Sequence, residues 1–94
     1  MRNYEVVYIL TPDLDEEQVE EQHNQVKTVI ERYGGEAGEI DVWGKRRLAY
    51  AVDDYLEGTY AIRNFKGDSN VISELERSFR MNDSVLRYLV SRID

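Results

Sequence analysis

Two adjacent arginines, Arg46 and Arg47, carry the most distinctive chemistry in this chain, and Lys45 precedes them. Apolar residues alternate with polar ones directly after the pair, which places the cations on a β-strand. A guanidinium offers five donors in a planar fork that matches phosphate, and it stacks on nucleobases. This chemistry suits contact with a polyanion or an acidic partner. On spacing alone, however, the favoured interpretation is that the pair neutralises the nearby Glu36, Glu39 and Asp41.

The sequence offers little chemistry for catalysis. His23 is the single histidine, and it lies on the predicted apolar stripe of a helix, where packed histidines outnumber catalytic ones. With one histidine and no cysteine, the chain has neither a thiolate nucleophile nor the ligands of an ordinary zinc site. The carboxylates of segment 13–21 are typical of a solvated helix face, and the glycines lack a phosphate-binding spacing. We expect no enzyme activity, no catalytic residue, no metal and no cofactor.

Length and composition indicate one small domain spanning residues 1–94. No apolar run approaches the ~20 residues of a membrane span, and the first residues do not resemble a signal peptide. We therefore expect a cytoplasmic protein. The net charge of -7 argues against a generic polycation that coats nucleic acid. It still allows RNA binding through a local patch, because only charges that face phosphates enter such a contact.

The first half of the sequence predicts a central strand and a long helix. Segment 3–10 is rich in β-branched and aromatic residues and is apolar on both faces, as a central strand should be. A helix follows from about Asp15, a suitable N-cap, to Tyr33, and Gly34 ends it. The predicted buried stripe of this helix consists of Val19, His23, Val26, Ile30 and Tyr33.

The second half predicts two strands, a helix and a last strand. Alternation over 36–52 indicates a long strand that Gly44 interrupts with a bulge or bend. After a turn at 53–58, a third strand is predicted over 58–66, although its alternation breaks between Ile62 and Phe65. A helix begins near 67–70, and segment 85–90 is the last strand. The stripe of this second helix is predicted as Val71 or Ile72, Leu75 and Phe79.

The order β-α-β-β-α-β predicts an α+β, ferredoxin-like fold. Right-handed crossovers place strand 1 between strands 3 and 4. The result is a four-stranded antiparallel sheet of order 4-1-3-2 with two helices on one face. The other face is expected to be open or covered by a partner.

This topology groups the basic residues at two places. We expect Arg2, at the start of strand 1, to lie near Lys66 and Arg92 at the ends of strands 3 and 4. Arg87 on strand 4 completes this predicted basic corner, which we assign to RNA. Lys45, Arg46 and Arg47 form a second site for RNA or a partner. The alternative for each cation is surface solubility.

Two aromatic residues near the second site, Trp43 and Tyr50, could stack on bases or anchor a protein partner. Their alternative is ordinary half-buried packing. Segment 60–63 does not match the aromatic signature of the RNA recognition motif. Segment 11–15 is acidic, unlike the anion-binding loop of an acylphosphatase.

Several segments resemble a known family. The opening Met1–Glu5, the turn Leu10–Leu14, the helix end Tyr33–Gly35 and the last-strand approach Asn82–Tyr88 fit it, and Gly44–Tyr50 carries its specific signature. Over essentially its whole length the chain resembles bacterial small-subunit ribosomal protein six.

The resemblance implies a role in ribosome assembly. Members of this family bind the central domain of small-subunit ribosomal RNA as a heterodimer with small-subunit ribosomal protein eighteen. That partner is basic, which suits an acidic chain. The chain departs from the family pattern at Leu86, where a basic residue is common, so the RNA-facing charge of strand 4 would depend on Arg87. Some members of the family carry an extended C-terminal tail, and functions tied to such a tail are not carried over to this sequence, which ends at Asp94.

The resemblance and the outer position of strand 2 together predict a protein interface on that strand, with Trp43 and Tyr50 in it. The competing hypothesis is a ferredoxin-like protein-interaction or regulatory module whose open sheet face dimerises. A small hydrolase is a third and more remote possibility.

Overall fold

The computed structural model describes residues 1–93 and confirms the predicted order of elements. The elements are β1 (Arg2–Leu10), α1 (Glu16–Arg32), β2 (Glu36–Val52), β3 (Tyr55–Gly67), α2 (Ser69–Arg80) and β4 (Val85–Arg92). The strands form one antiparallel sheet in the order β2-β3-β1-β4, which is the predicted 4-1-3-2 order. Both helices contribute buried residues to a single core, so they cover the same face of the sheet. The fold is α+β and ferredoxin-like, as expected.

Helix α1 begins with a capping box. The Asp15 carboxylate accepts a hydrogen bond from the Gln18 amide at 2.8 Å, and the Gln18 side chain accepts one from the Asp15 amide at 3.0 Å. These bonds satisfy two of the free amides at the helix start. The prediction that Tyr33 belongs to the buried stripe is wrong, because this residue is 37% exposed. It is the C-cap, where the backbone leaves the helical path and turns the side chain away from the core.

The core forms on the helix-covered face because alternate residues of the central strand point the same way. Val6, Tyr8 and Leu10 of β1 are completely buried. Ile30 of α1 and Leu75 of α2 pack against them without any exposure. Burying each large apolar side chain contributes about 1.5–3 kcal/mol, so this layer drives the fold. In α2 the stripe begins at Val71, which is 1% exposed, rather than at the half-buried Ile72.

The β2–β3 hairpin is tighter than the sequence indicated. We expected turn residues over 53–58, whereas β3 already begins at Tyr55. Asp53 and Asp54 make the connection alone, with φ values of 49° and 68°. Two positive φ values match a two-residue hairpin turn, whose usual sequence signal is Asn-Gly or Asp-Gly. An Asp-Asp pair lacks the glycine of that signal, and the observed strand therefore begins three residues before the predicted start at Gly58.

The broken alternation in β3 has a simple cause. Ala61, Arg63 and Phe65 face the helices, while Tyr60 and Ile62 point to the open face. A charged residue therefore occupies the core position between two apolar ones. The Arg63 guanidinium donates to the carbonyl oxygen of Gly38 at 3.2 Å and to that of His23 at 3.4 Å.

His23 belongs to a buried polar cluster with Tyr8 and Arg63. A 2.6 Å hydrogen bond joins the Tyr8 hydroxyl to His23 Nδ1. Burial raises the pKa of Tyr8 to about 12, against the opposing charge and hydrogen bonding of Arg63. Burial also lowers the pKa of His23, and the positive charge of Arg63 acts in the same direction, while Glu20 opposes both. His23 is therefore a neutral structural residue, as its place on the apolar stripe suggested.

The last strand, β4, is longer than predicted, since Arg92 still pairs with Tyr4. None of the helices within residues 1–93 is long and apolar enough to cross a membrane.

The lowered pKa of His23 predicts a pH-dependent stability. The unfolded chain takes up a proton near the ordinary histidine pKa of about 6.5, whereas the folded chain resists it. Full stability is therefore present above that pH, and part of it is lost as the pH falls. Urea unfolding between pH 7.5 and 5.5 should show this decline, and His23→Gln should remove it. An equal decline in both proteins would assign the effect to other groups.

Candidate functional site

The predicted basic corner forms only in part. Arg2 lies opposite Gly67 and Arg92 opposite Tyr4, so both arginines lie at one end of the sheet on the helix-facing side. Lys66 is at the same end, but it points to the open face. Arg87 does not join them, because it is five residues from Arg92 along β4, or about 16 Å.

Arg87 instead contacts the β2–β3 hairpin. It lies opposite Ile9 near the far end of β1. Its guanidinium carbon is 5.3 Å from the centre of the Tyr50 ring, a cation–π contact. The hairpin continues past Thr59, which pairs with the last residue of β1, so its outer part can reach β4. Arg87 thus belongs with the second basic site rather than with the first.

The second basic site is exposed and bears charge on both faces of the hairpin. Arg46 pairs with Gly58 and Arg47 with Glu57, so the two side chains point to opposite faces. Arg46 Nη1 donates to the carbonyl oxygen of Lys45 at 3.0 Å. Neither arginine forms an ion pair with a carboxylate within residues 1–93, so neutralisation of segment 36–41 does not explain them.

The face of the sheet opposite the helices is apolar at its centre. Val7 lies between Ile62 on β3 and Leu89 on β4, so the three side chains form one row across three strands. Leu89 is 64% exposed. A groove of about 280 Å³ runs between β1 and β4 beside this row. We call this surface, with Val7, Ile9, Trp43, Tyr60, Ile62 and Leu89, the open face.

A β-bulge makes the side chain of Trp43 point to the open face. The register of β2 shifts between Val42 and Gly44, and Gly44 has a φ of 76°. The indole stacks on Tyr60, with ring centres 6.3 Å apart and planes 12° apart. Its Nε1–H donates to Asp41 Oδ2 at 3.0 Å. Trp43 is therefore held by two contacts while its residue remains 44% exposed.

The open face is only partly evident from the sequence. The pattern shows that β1 is apolar on both faces, but it assigns Tyr60 to no face and does not distinguish Leu89. Alternation in β1 and β4 indicates which residues form the open face, since every second residue must point away from the core. Which residues of neighbouring strands lie side by side on that face is known only from the pairing register.

Comparisons with known proteins define the class of protein. The family profile described as "Ribosomal protein S6" matches residues 3–92. The small ribosomal subunit protein bS6 of Natranaerobius thermophilus is 70% identical over 92 residues, covering 98% of this chain and 96% of that protein. The bS6 protein of Thermoanaerobacter pseudethanolicus is 49% identical over 94 residues, covering 100% of this chain and 99% of that protein. The crystal structure of 30S ribosomal protein S6 from Thermotoga maritima superposes with a TM-score of 0.92 at 30% identity, over 98% of this chain and 87% of that one.

Fold, surface and relatives together define a structural protein of the small ribosomal subunit, from a family of ribosomal proteins rather than of enzymes. The chain belongs to the ribosomal protein S6 family. The resemblance seen in the sequence is thereby confirmed. Within the described residues, no three metal-ligating side chains come together.

Gly44→Ala should lower the free energy of unfolding only by straining the backbone at the bulge. A Cβ at this position would meet nothing closer than Arg46 Nη1 at 4.0 Å, so the cost is backbone strain of about 1–2 kcal/mol. Urea unfolding should show this loss, and the emission of Trp43 should change as its stack with Tyr60 is disturbed. Gly34→Ala is the matched control, because Gly34 has a φ of 91° and equal space but lies far along the chain from Trp43. The control should lose stability without the change in emission, and a change in both would contradict the assignment.

Proposed function

We propose that this protein binds the central domain of small-subunit ribosomal RNA, in the cytoplasm and as part of the ribosome, together with the basic small-subunit ribosomal protein eighteen. The observation that carries the proposal is the open face. It exposes an aligned apolar and aromatic surface, and exposed cations lie at both ends of the sheet, on one face or the other. The chain as a whole is acidic, so these cations stand out locally.

The proposed RNA contacts lie at the two basic ends. At one end they comprise Arg2, Lys66 and Arg92, and at the other Arg87 with Lys45, Arg46 and Arg47. Only charges that face phosphates add to affinity, so two small clusters are compatible with a net charge of -7. The Tyr50 ring orients Arg87, which lowers the entropy that this side chain must lose on binding.

The proposed partner contact is the open face together with the outer strand β2. Within residues 1–93 this strand pairs with β3 alone, so its other edge has free backbone groups that can accept an added segment. Trp43 and the 65% exposed Tyr50 supply aromatic area along it. A basic partner would be attracted by the acidic chain and would supply further phosphate-neutralising charge.

The exposed apolar face also favours a second candidate function, an interaction module that pairs with another copy of itself. Sedimentation of the isolated protein separates the two. A stable homodimer that persists when the basic partner is added would support the module.

A pull-down with salt titration tests the proposed function. The isolated protein should bind a central-domain RNA fragment weakly, because its clusters contact few phosphates and each contributes roughly 0.7–0.9 to the log–log salt slope. Adding ribosomal protein eighteen should tighten the complex and steepen the slope. Tight binding by the isolated chain at about 0.2 M salt, or no association with the partner, would contradict the proposal.

Arg46 and Arg47 should serve binding rather than folding. Exposed charges contribute under about 1 kcal/mol to stability, so the double variant Arg46→Ala/Arg47→Ala should melt almost as the parent does. Its binding to RNA with the partner should weaken at least tenfold, since even one charge-assisted hydrogen bond contributes about 1.5–3 kcal/mol. Arg77→Ala/Arg80→Ala on α2 removes the same charge elsewhere and should bind normally. Equal losses in both variants would show a nonspecific charge effect.

A further inference from the structure

The buried cluster of Tyr8, His23 and Arg63 holds two polar atoms without a hydrogen-bond partner among residues 1–93. They are His23 Nε2 and Arg63 Nε. His23 is 4% exposed and Arg63 is 7% exposed, and both nitrogens are shielded from the surface. Buried polar atoms in folded proteins nearly always have a partner, because an unpaired one has lost its hydration without compensation. Two such atoms in one cluster therefore point to a bound group.

Tyr8 determines which nitrogen of His23 carries the proton. The Arg63 guanidinium donates a hydrogen bond to the Tyr8 oxygen, and a guanidinium has no lone pair with which to accept one in return. The hydroxyl proton of Tyr8 is therefore donated to His23 Nδ1, which is 2.6 Å away. Burial keeps the ring neutral by lowering the pKa of His23, and a neutral imidazole carries one proton. That proton lies on Nε2.

Both unpartnered atoms are therefore donors. The Nε of a guanidinium always carries a hydrogen, as does the Nε2 of this histidine tautomer. The neighbouring acceptors are already engaged, since Arg63 Nη1 donates to the carbonyl oxygen of Gly38 at 3.2 Å and Nη2 to that of His23 at 3.4 Å. The cluster thus has more donors than acceptors, and a group that completes it must supply lone pairs.

The cluster also holds a buried positive charge without a counter-ion. Arg63 is always protonated, and His23 is neutral. Burial raises the pKa of Tyr8 to about 12, so its phenol supplies no negative charge. Within residues 1–93 no carboxylate forms an ion pair with Arg63. Glu20 influences the pKa values of Tyr8 and His23 through its charge, but it is itself exposed. A charge removed from water is costly unless an opposite charge compensates it.

We propose that this cluster binds one small monovalent anion, a halide such as chloride, between Arg63 Nε–H and His23 Nε2–H. The anion supplies the missing lone pairs and balances the charge of Arg63. A water molecule would accept from both donors, but it would add two hydrogens to a donor-rich site and leave the charge unbalanced. A free halide enters through local opening of the domain, whereas a phosphate attached to a nucleic acid cannot reach shielded atoms.

The position of the site predicts an effect on the whole scaffold. Tyr8 lies on β1, His23 on α1 and Arg63 on β3, and Arg63 also contacts Gly38 on β2. An anion held between His23 and Arg63 therefore links the helix layer to the sheet. Salt weakens contacts between surface cations and phosphates, whereas chloride at this site should stabilise the fold. This inference does not depend on the proposed function.

The first experiment measures stability against chloride concentration. In urea unfolding at pH 7.5, chloride replaces gluconate at constant sodium concentration, so the ionic strength does not change. Gluconate is a much larger monovalent anion and serves as the reference. Because a ligand that binds only the folded chain stabilises it by mass action, the folding equilibrium constant should rise up to tenfold for each tenfold rise in chloride above its Kd. Equal stability in the two salts would overturn the proposal.

A pair of variants assigns the effect to the cluster. Arg63→Met removes the charge and the Nε donor but keeps a long side chain in the core, and its stability should be the same in both salts. Arg77→Met is the matched control, because Arg77 is an exposed arginine of α2 that pairs with Glu74. The control should keep the chloride dependence of the parent protein. Chloride dependence that persists in Arg63→Met, or that is lost in both variants, contradicts this site.

The parent protein gives a second measurement that needs no variant, because His23 is the single histidine. Nitrogen NMR of the labelled ring should show Nδ1 as an acceptor nitrogen and Nε2 as a protonated one. Chloride should shift the Nε2 signal more than the Nδ1 signal, and the shift should saturate with the Kd found by unfolding. The opposite tautomer, or an Nε2 signal that ignores chloride, overturns the proposal. Strong cross-relaxation between the Nε2 proton and a bound water at saturating chloride would also overturn it.

Discussion

The structure depends on the double pairing of the central strand β1. Its residues pair with β3 on one side and with β4 on the other, from Tyr4 to Leu10. This pairing determines which residue of each outer strand shares a face with which residue of β1. Because side chains alternate strictly, a slip of one residue would exchange the core with the open face. The helices cover one face, and the proposed contacts with RNA and with a partner lie on the other face or at the ends of the sheet.

The register also explains how an acidic chain can present basic sites. Its cations are few, but the strands bring several of them to the two ends of one sheet. The hairpin of β2 and β3 extends past β1 and carries Lys45, Arg46 and Arg47 beyond the body of the domain. Tyr50 then contacts Arg87, so residues distant in sequence form one exposed cluster. Net charge governs long-range attraction to a basic partner, whereas this local arrangement governs contact with phosphate.

A polar cluster and a bulge give the domain its specific features. Tyr8, His23 and Arg63 connect the central strand, α1 and β2 through buried hydrogen bonds, and burial keeps His23 neutral. Such bonds add modestly to stability, but each is costly to break once buried. The bulge at Gly44 turns Trp43 onto the open face, where it stacks on Tyr60 instead of entering the core. The first feature holds the scaffold together, and the second shapes its proposed interface.

The sequence alone determined the order of elements, the sheet topology and the family, because periodicity, capping residues and chain crossovers are local or follow general rules. It also located the bulge at Gly44 and the exposed aromatic residues Trp43 and Tyr50. The tertiary structure alone decided that Arg87 joins Tyr50 rather than Arg92, that Arg63 enters the core, and that Asp53 and Asp54 form the whole turn. These outcomes depend on register, on the reach of long side chains and on φ values that no local pattern specifies. The open face likewise emerged only from pairing, since its residues come from four strands and no single segment shows the row they form.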